Sequence, residues 1–122
     1  MHCLLMFHNV MSLIFIVIIQ ARHPGGTSST FLNKPWSAYR DGFYGNGNGD
    51  SWLGLAKVHQ LTSDQTWALL IDLTDYDDKK YQAKYKTVTV GNEALKYKLT
   101  LGAFDGSSST LGDSLGYHSC LL

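Results

Sequence analysis

The chain has no excess of charge of either sign, since ten Lys and Arg balance ten Asp and Glu among its 122 residues. A neutral chain has no net field that would gather nucleic acid or draw the protein onto an anionic surface. The length allows one domain at most. We therefore expect neither a nucleic-acid partner nor a strongly charged partner of another kind.

Cysteine is nearly absent, and Cys3 and Cys120 stand near opposite ends of the sequence. Two cysteines so placed give no disulfide framework and no zinc site. The five histidines are scattered and follow no metal-ligand spacing. Collagen-like and heptad repeats, which would assemble a trimer, are lacking as well. The sequence predicts no metal and no cofactor, and it leaves the oligomeric state open.

Long apolar runs are confined to the N-terminus, where residues 3–21 are nearly all apolar and residues 22–30 form a polar linker. Such a run before a small residue is typical of a secretory signal peptide, so residues 1–21 are predicted to be removed by cleavage after Ala21. An uncleaved anchor stays open, because the run is nearly long enough to cross a hydrocarbon layer of about 30 Å. A misassigned start of the coding sequence is the third possibility.

A cleaved signal predicts a secreted, extracellular protein without stable membrane insertion. Removal of residues 1–21 would take Cys3 away and leave Cys120 without an intramolecular partner. In an oxidising compartment Cys120 is then expected to be an accessible and reactive free thiol.

Two short helices are predicted after the linker. Apolar residues recur at three- and four-residue spacing over residues 34–43, with Pro35 where a first helical turn tolerates it. A second helix is predicted over Ser51–His59. The glycine-rich residues 44–50 between them do not fit the G-x-G-x-x-G phosphate cradle. They are interpreted as a connector.

Three strands are predicted beyond the helices, from alternation of apolar and polar residues over Trp67–Leu73, Tyr81–Val88 and Leu95–Leu101. The turns between them are short, which makes the strands antiparallel neighbours. Three meander strands with two helices predict an α+β domain.

Two groups of polar side chains have the residue types of catalytic sites. The acidic group comprises Asp72, Asp75, Asp77 and Asp78. Three of its members share one polar turn with two lysines, where solvent and cations keep carboxylates ionised. The second group has the types of a hydrolase triad, namely Asp113, Ser114 and His118. No G-x-S-x-G or oxyanion-loop pattern accompanies it, so no catalytic residue is predicted.

Five motifs resemble the fibrinogen C-terminal domain family in their order and spacing. They are WSAYRDGF (Trp36–Phe43), WLGLAKVHQLT (Trp52–Thr62), LLIDLTD (Leu69–Asp75), AKYKTVTVGNEALKYKLTLG (Ala83–Gly102) and GDSLGYH (Gly112–His118). A partial domain is assigned to residues 31–119 on this resemblance, and residues 120–122 to a tail outside it. The resemblance implies an antiparallel meander sheet with two short helices, and an extracellular recognition module rather than an enzyme.

The resemblance also implies which family features have no counterpart here. The first disulfide of the family would precede Phe31. The acidic calcium loop, the second disulfide and the pocket for acetylated sugars or receptor surfaces would follow His118. No calcium site and no ligand-binding residue is therefore assigned.

Three hypotheses for the function stay open. The first is a secreted module of lectin-like, innate-immune, matrix or signalling type, whose glycan or protein ligand is bound outside this chain. The second is an inactive product of a partial gene model or pseudogene. The third, more remote, is a hydrolase that uses Asp113, Ser114 and His118.

Overall fold

The described residues form one antiparallel sheet backed by helices. The computed structural model describes residues 2–9, 16–23, 31–45 and 49–113. The strands are β1 (His2–Asn9), β2 (Ile16–Arg22), β3 (Phe43–Tyr44), β4 (Ser51–Trp52), β5 (Trp67–Thr74), β6 (Lys80–Val90) and β7 (Leu99–Leu101). The α-helices are α1 (Trp36–Asp41) and α2 (Leu55–Asp64). This is the α+β architecture that the sequence predicts.

The strands lie in the order β3-β4-β2-β1-β5-β6-β7, and every pairing is antiparallel. The predicted meander corresponds to β5, β6 and β7. Its third strand is shorter than predicted, because the Asn92 side chain accepts a hydrogen bond from the Leu95 N–H (3.0 Å) and holds Glu93–Leu95 in a 3₁₀ helix. The chain then turns through positive φ at Lys96 and Tyr97, which places the Tyr97 ring in the core.

The N-terminal part of the sheet differs from the predicted boundaries. The segment predicted as a signal peptide contains β1 and β2, and β2 lies between β1 and β4. Ile19 and Ala21 are buried there at 6% and 4% exposure. The sheet therefore begins well before the predicted domain start at residue 31, because an apolar, β-branched run fits a strand as well as it fits a leader. Cleavage after Ala21 is not tested by this arrangement and stays a prediction.

The second helix also begins later than predicted. Ser51 and Trp52 form β4, which pairs with β3, and α2 begins only at Leu55. Gly54 precedes it with φ 106° and ψ 139°, a conformation that is essentially restricted to glycine. None of the helices within the described ranges is long and apolar enough to span a membrane.

The core lies between α2 and one face of the sheet. Leu55 and Val58 of α2 belong to one buried cluster with Trp67 and Leu69 of β5 and Tyr85 of β6. The apolar members of the period-two pattern in β5 and β6 thus face the helix. Thr62 adds a polar tie, since its Oγ1 accepts a hydrogen bond from the Val90 N–H at 3.1 Å.

Candidate functional site

The carboxylate of Asp113, one of the three residues with the types of a hydrolase triad, is hydrogen-bonded to the core of the sheet. Tyr85 is 2% exposed, and its hydroxyl donates a hydrogen bond to Asp113 Oδ1 at 2.8 Å. The contact joins the G-D-S-L motif to β6, so Asp113 has a structural task. Ser114 and His118 lie outside the described residues, and the geometry of a triad is therefore not tested.

Two further predicted positions are the free thiol Cys120 and the cleavage position after Ala21. Cys120 lies outside the described residues. Cys3 belongs to β1, where its backbone pairs with Arg22 and Leu73. Ala21 is a buried residue of β2. The expected free thiol at Cys120 stays a prediction.

The acidic group builds the turn between β5 and β6. Asp75 Oδ1 accepts hydrogen bonds from the N–H groups of Asp77 and Lys79, both at 2.9 Å. These bonds, chiefly the one from Lys79, lower the pKa of Asp75 below its ordinary value, and the Tyr81 hydroxyl adds to the effect. A carboxyl group with a lowered pKa is a poor proton donor at neutral pH. Asp75 thus acts as the capping group of a turn.

A buried carboxylate joins the end of β2 to the loop of the β3–β4 hairpin. Asp50 is 1% exposed, and its Oδ1 accepts a hydrogen bond from the His23 N–H at 2.7 Å. The His23 Nδ1 lies 3.7 Å from the same oxygen. The sequence signal was weak, because an Asp after a run of Gly and Asn is typical of an exposed loop.

A segment rich in hydroxyl groups covers the edge of β6 beyond the end of β7. We call residues 105–110 (DGSSST) the hydroxyl segment. Ser109 Oγ accepts a hydrogen bond from the Lys84 N–H at 2.9 Å, and Thr110 Oγ1 accepts one from the Gln82 N–H at 2.8 Å. Side-chain oxygens thus take the place of the carbonyls that a further strand would supply. In the part of the chain that the structure describes, no group of three or more His, Cys, Asp or Glu is placed to hold a metal ion.

These contacts define a class of protein, namely an α+β sheet domain whose polar side chains hydrogen-bond turns, loops and strand edges to the sheet. The sequence profile of the family described as fibrinogen beta and gamma chains, C-terminal globular domain, matches residues 14–121. The chain belongs to this family. The match includes β2, well before the predicted start at residue 31, and it reaches into the predicted tail of residues 120–122.

Curated relatives are similar to this chain over part of their length. Human ficolin-3 is 39% identical over 103 residues, which are 84% of this chain and 32% of ficolin-3. Human angiopoietin-related protein 1 is 37% identical over 102 residues, which are 84% of this chain and 19% of the relative. The chain therefore spans about a third or less of the length of these relatives.

Solved structures give the same fold. The fibrinogen-like globe domain of human ANGPTL6 superposes with a TM-score of 0.70 at 30% identity, over 87% of this chain and 51% of that chain. The globe domain of human ANGPTL2 gives 0.65 at 27% identity, over 95% of this chain and 56% of that chain. Lamprey fibrin D-dimer, in complex with the peptide Gly-His-Arg-Pro-amide, gives 0.62 at 31% identity, over 75% and 32%. The resemblance that the sequence motifs indicated is confirmed.

Proposed function

We propose that this chain forms the structural half of an extracellular recognition module of the fibrinogen-related type, and that it is not an enzyme. The observation that carries the proposal is the match with the ANGPTL6 globe domain, which includes 87% of this chain and about half of that domain. In this proposal the chain supplies a sheet with its helices, and the remaining part of a globe would pack on them.

The hydrogen bonds made by the polar side chains support this role. Asp50, Asp75 and Asp113 each hold a backbone or core group of the domain itself. A catalytic or ligand-binding group has to present its polar atoms to a substrate instead. The hydroxyls of Ser109 and Thr110 are engaged in the same way, by the edge of β6.

The ligand of the whole module would be a glycan or a protein outside the cell. We assign its binding, and any calcium site, to the part of the globe domain that this chain does not match. Relatives such as ficolin-3 and angiopoietin-related protein 1 support the extracellular and recognition parts of the proposal. Fold alone does not select among lectin-like, matrix and signalling roles.

Titration calorimetry of the chain tests the proposal with three probes: calcium, N-acetylglucosamine and the peptide Gly-His-Arg-Pro-amide. Calcium requires about six to eight oxygen ligands, and none of the aspartates analysed above presents such a set. We expect no saturable heat with any probe up to millimolar concentration, a Kd limit that corresponds to about −4 kcal/mol. Lamprey fibrin D-dimer, which binds the peptide, is the positive control.

Saturable binding of one equivalent of any probe with micromolar affinity would contradict the assignment. It would show that the chain carries a ligand site of its own. Hydrolysis of an ester substrate that is lost in Asp113→Asn would contradict the second part of the proposal, because it would require the triad as a catalytic unit.

A further inference from the structure

Two tyrosine side chains are almost fully exposed. Tyr76 is 88% exposed and Tyr44 is 83% exposed, whereas Tyr85 and Tyr97 are buried in the core. A tyrosine ring is mostly apolar and usually packs its body against the protein. Within the described ranges, Tyr76 makes neither a hydrogen bond nor a ring contact. The packing of the domain therefore gives no reason for an aromatic residue at this position.

Tyr76 lies in an ordered turn. We call residues 75–79 (DYDDK), which join β5 to β6, the acidic turn. The Asp75 N–H donates a hydrogen bond to the Lys79 carbonyl at 2.9 Å, and the Asp78 N–H donates one to the Asp75 carbonyl at 3.2 Å. Asp78 itself has a φ of 59°. These bonds, together with those to the Asp75 carboxylate, hold the backbone of the turn and leave the Tyr76 phenol exposed to solvent.

Carboxylates flank the exposed phenol on both sides. Asp75 precedes it, and Asp77 and Asp78 follow it. Asp77 and Asp78 are exposed and form no ion pair within the part of the chain that the structure describes. The ammonium group of the same turn is directed elsewhere, since Lys79 Nζ lies 5.0 Å or more from the phenol's neighbours' rings, at 5.4 Å from the centroid of the Tyr81 ring. The phenol is therefore set among negative charges.

Tyr44 provides a comparison within the same chain. Its two neighbours in the sequence carry no charge, and the nearest carboxylate before it, that of Asp41, is paired with Arg40 at 3.0 Å. Exposure of a tyrosine in this domain is thus not by itself accompanied by carboxylates. Among the described tyrosines, Tyr76 alone combines near-complete exposure with carboxylates on both sides.

An exposed phenol flanked by carboxylates has the features of an acceptor for sulfuryl transfer. An enzyme that transfers a sulfuryl group holds an anionic phosphosulfate donor with cationic side chains, so its cleft has a positive potential. A segment that carries carboxylates is complementary to such a cleft. Tyrosines of exported proteins meet enzymes of this class inside the secretory pathway.

We propose that Tyr76 is a sulfation site, which accepts a sulfuryl group from a nucleotide phosphosulfate under catalysis by a protein-tyrosine sulfotransferase. The Tyr76 Oη forms a bond to sulfur, and the bond from sulfur to the bridging oxygen of the donor breaks. The phenolic proton passes to a base of the transferase, and the electron pair of the broken bond leaves with the nucleotide phosphate. The product is an aryl sulfate ester, which adds one negative charge to the acidic turn. The proposal rests on the extracellular part of the proposed function.

Sulfation of the purified chain in vitro tests the acceptor directly. The folded chain is incubated with a purified protein-tyrosine sulfotransferase and a phosphosulfate donor that carries radioactive sulfur, and peptide mapping locates the labelled residue. Tyr76→Phe removes the acceptor. Tyr44→Phe is the matched control, because Tyr44 is almost as exposed but has no adjacent carboxylate.

We expect label in the unmodified chain and in Tyr44→Phe, and none at the acidic turn in Tyr76→Phe. A further variant, Asp77→Asn/Asp78→Asn, tests recognition by charge and keeps the Asp75 carboxylate that holds the turn. It is expected to lower the initial rate of incorporation by about tenfold, because complementarity to the cationic cleft is reduced.

Equal incorporation into Tyr76→Phe and the unmodified chain would overturn the proposal. An unlabelled chain beside a labelled control peptide, with a tyrosine among acidic residues, would overturn it as well. An unchanged rate in Asp77→Asn/Asp78→Asn would remove the recognition of Tyr76 through its carboxylates. Neither export of the chain nor ligand binding enters this measurement, so the sulfation site and the proposed function can fail separately.

Discussion

Two glycines set the junction between the helices. Gly42 ends α1 with φ 99°, and Gly54 precedes α2 with φ 106°. A Cβ on Gly54 would lie 2.6 Å from the Gly42 nitrogen, and one on Gly42 would collide with the Leu53 carbonyl. Both the backbone conformation and the close approach therefore require a residue without a side chain.

Gly54→Ala is expected to lower the free energy of unfolding by about 2–4 kcal/mol, because strain in a glycine-only conformation adds to a backbone clash. Urea unfolding followed by tryptophan fluorescence measures the change. Gly106→Ala is the control, since the nearest atom to its Cβ would be 3.8 Å away in Phe104. Equal midpoints for the two variants would contradict the described junction.

The Tyr85 hydroxyl is a second residue-scale feature with a measurable effect. Tyr85→Phe removes the hydrogen bond to Asp113 and is expected to cost about 1–2 kcal/mol, because the hydroxyl of a buried tyrosine loses its carboxylate partner. Tyr81→Phe is the matched comparison. Its hydroxyl is only partly buried and makes a longer contact of 3.3 Å with Asp75, so a loss within about 0.5 kcal/mol is expected. A Tyr85→Phe variant as stable as the unmodified chain would remove the anchor assigned to Asp113.

At the scale of elements, the hydroxyl segment closes an edge that β7 leaves open. β7 pairs with β6 only from Val88 to Val90. Further along β6, the Ser109 and Thr110 hydroxyls accept hydrogen bonds from the amides of Lys84 and Gln82, respectively. An uncovered edge of this kind is a template for pairing between chains.

Ser109→Ala/Thr110→Ala is expected to speed amide hydrogen exchange at Gln82 and Lys84 by about tenfold, because both amides lose their acceptor. The control Ser107→Ala/Ser108→Ala changes exposed hydroxyls of the same segment. Exchange resolved by residue, with NMR detection, separates the two variants. If both variants leave the Gln82 and Lys84 amides equally protected, the hydroxyls do not hold this edge.

The elements also show how far the sequence predicts this fold. The alternation of apolar and polar residues predicted β5 and β6, because one face of each strand packs on α2 and every second side chain is therefore apolar. The motif resemblance predicted the family. Strand β2 could not be predicted in the same way, since an all-apolar run carries no alternation and its burial on one face becomes visible only with its neighbours.

The candidate sites were less predictable for a related reason. Residue types suggested roles for Asp75 and Asp113, but their partners are backbone amides and a core hydroxyl that periodicity does not reveal. Asp50 lies 27 positions along the chain from the amide it holds. Such long-range contacts depend on the completed sheet, and short-range sequence patterns do not encode them.

At the scale of the whole molecule, covalent association is expected through one thiol. Non-reducing gels of the purified chain should show a disulfide-linked dimer that disappears in Cys120→Ser, because an accessible thiol without an intramolecular partner oxidises readily in an oxidising environment. Cys3→Ser is the control and should leave the dimer in place. Dimer bands that persist in Cys120→Ser would refute the assignment of Cys120 as the reactive thiol.

The described residues form one sheet that includes the apolar N-terminal strands β1 and β2. If residues 16–22 are part of that sheet, they share the cooperative unfolding unit of the central strands. If they are a leader without a place in the domain, the sheet core consists of β5, β6 and β7 with the helices. The two alternatives differ in the hydrogen-bonding of β2, which pairs with both β1 and β4.

Hydrogen–deuterium exchange with mass spectrometry on the full chain distinguishes them most directly. A single fibrinogen-like sheet predicts that peptides covering residues 16–22 are protected together with those covering residues 67–74, and that both lose protection at the same denaturant concentration. Complete exchange of residues 16–22 within the first seconds, with residues 67–74 still protected, would contradict the sheet and with it the assignment of this chain as the structural half of a fibrinogen-like globe.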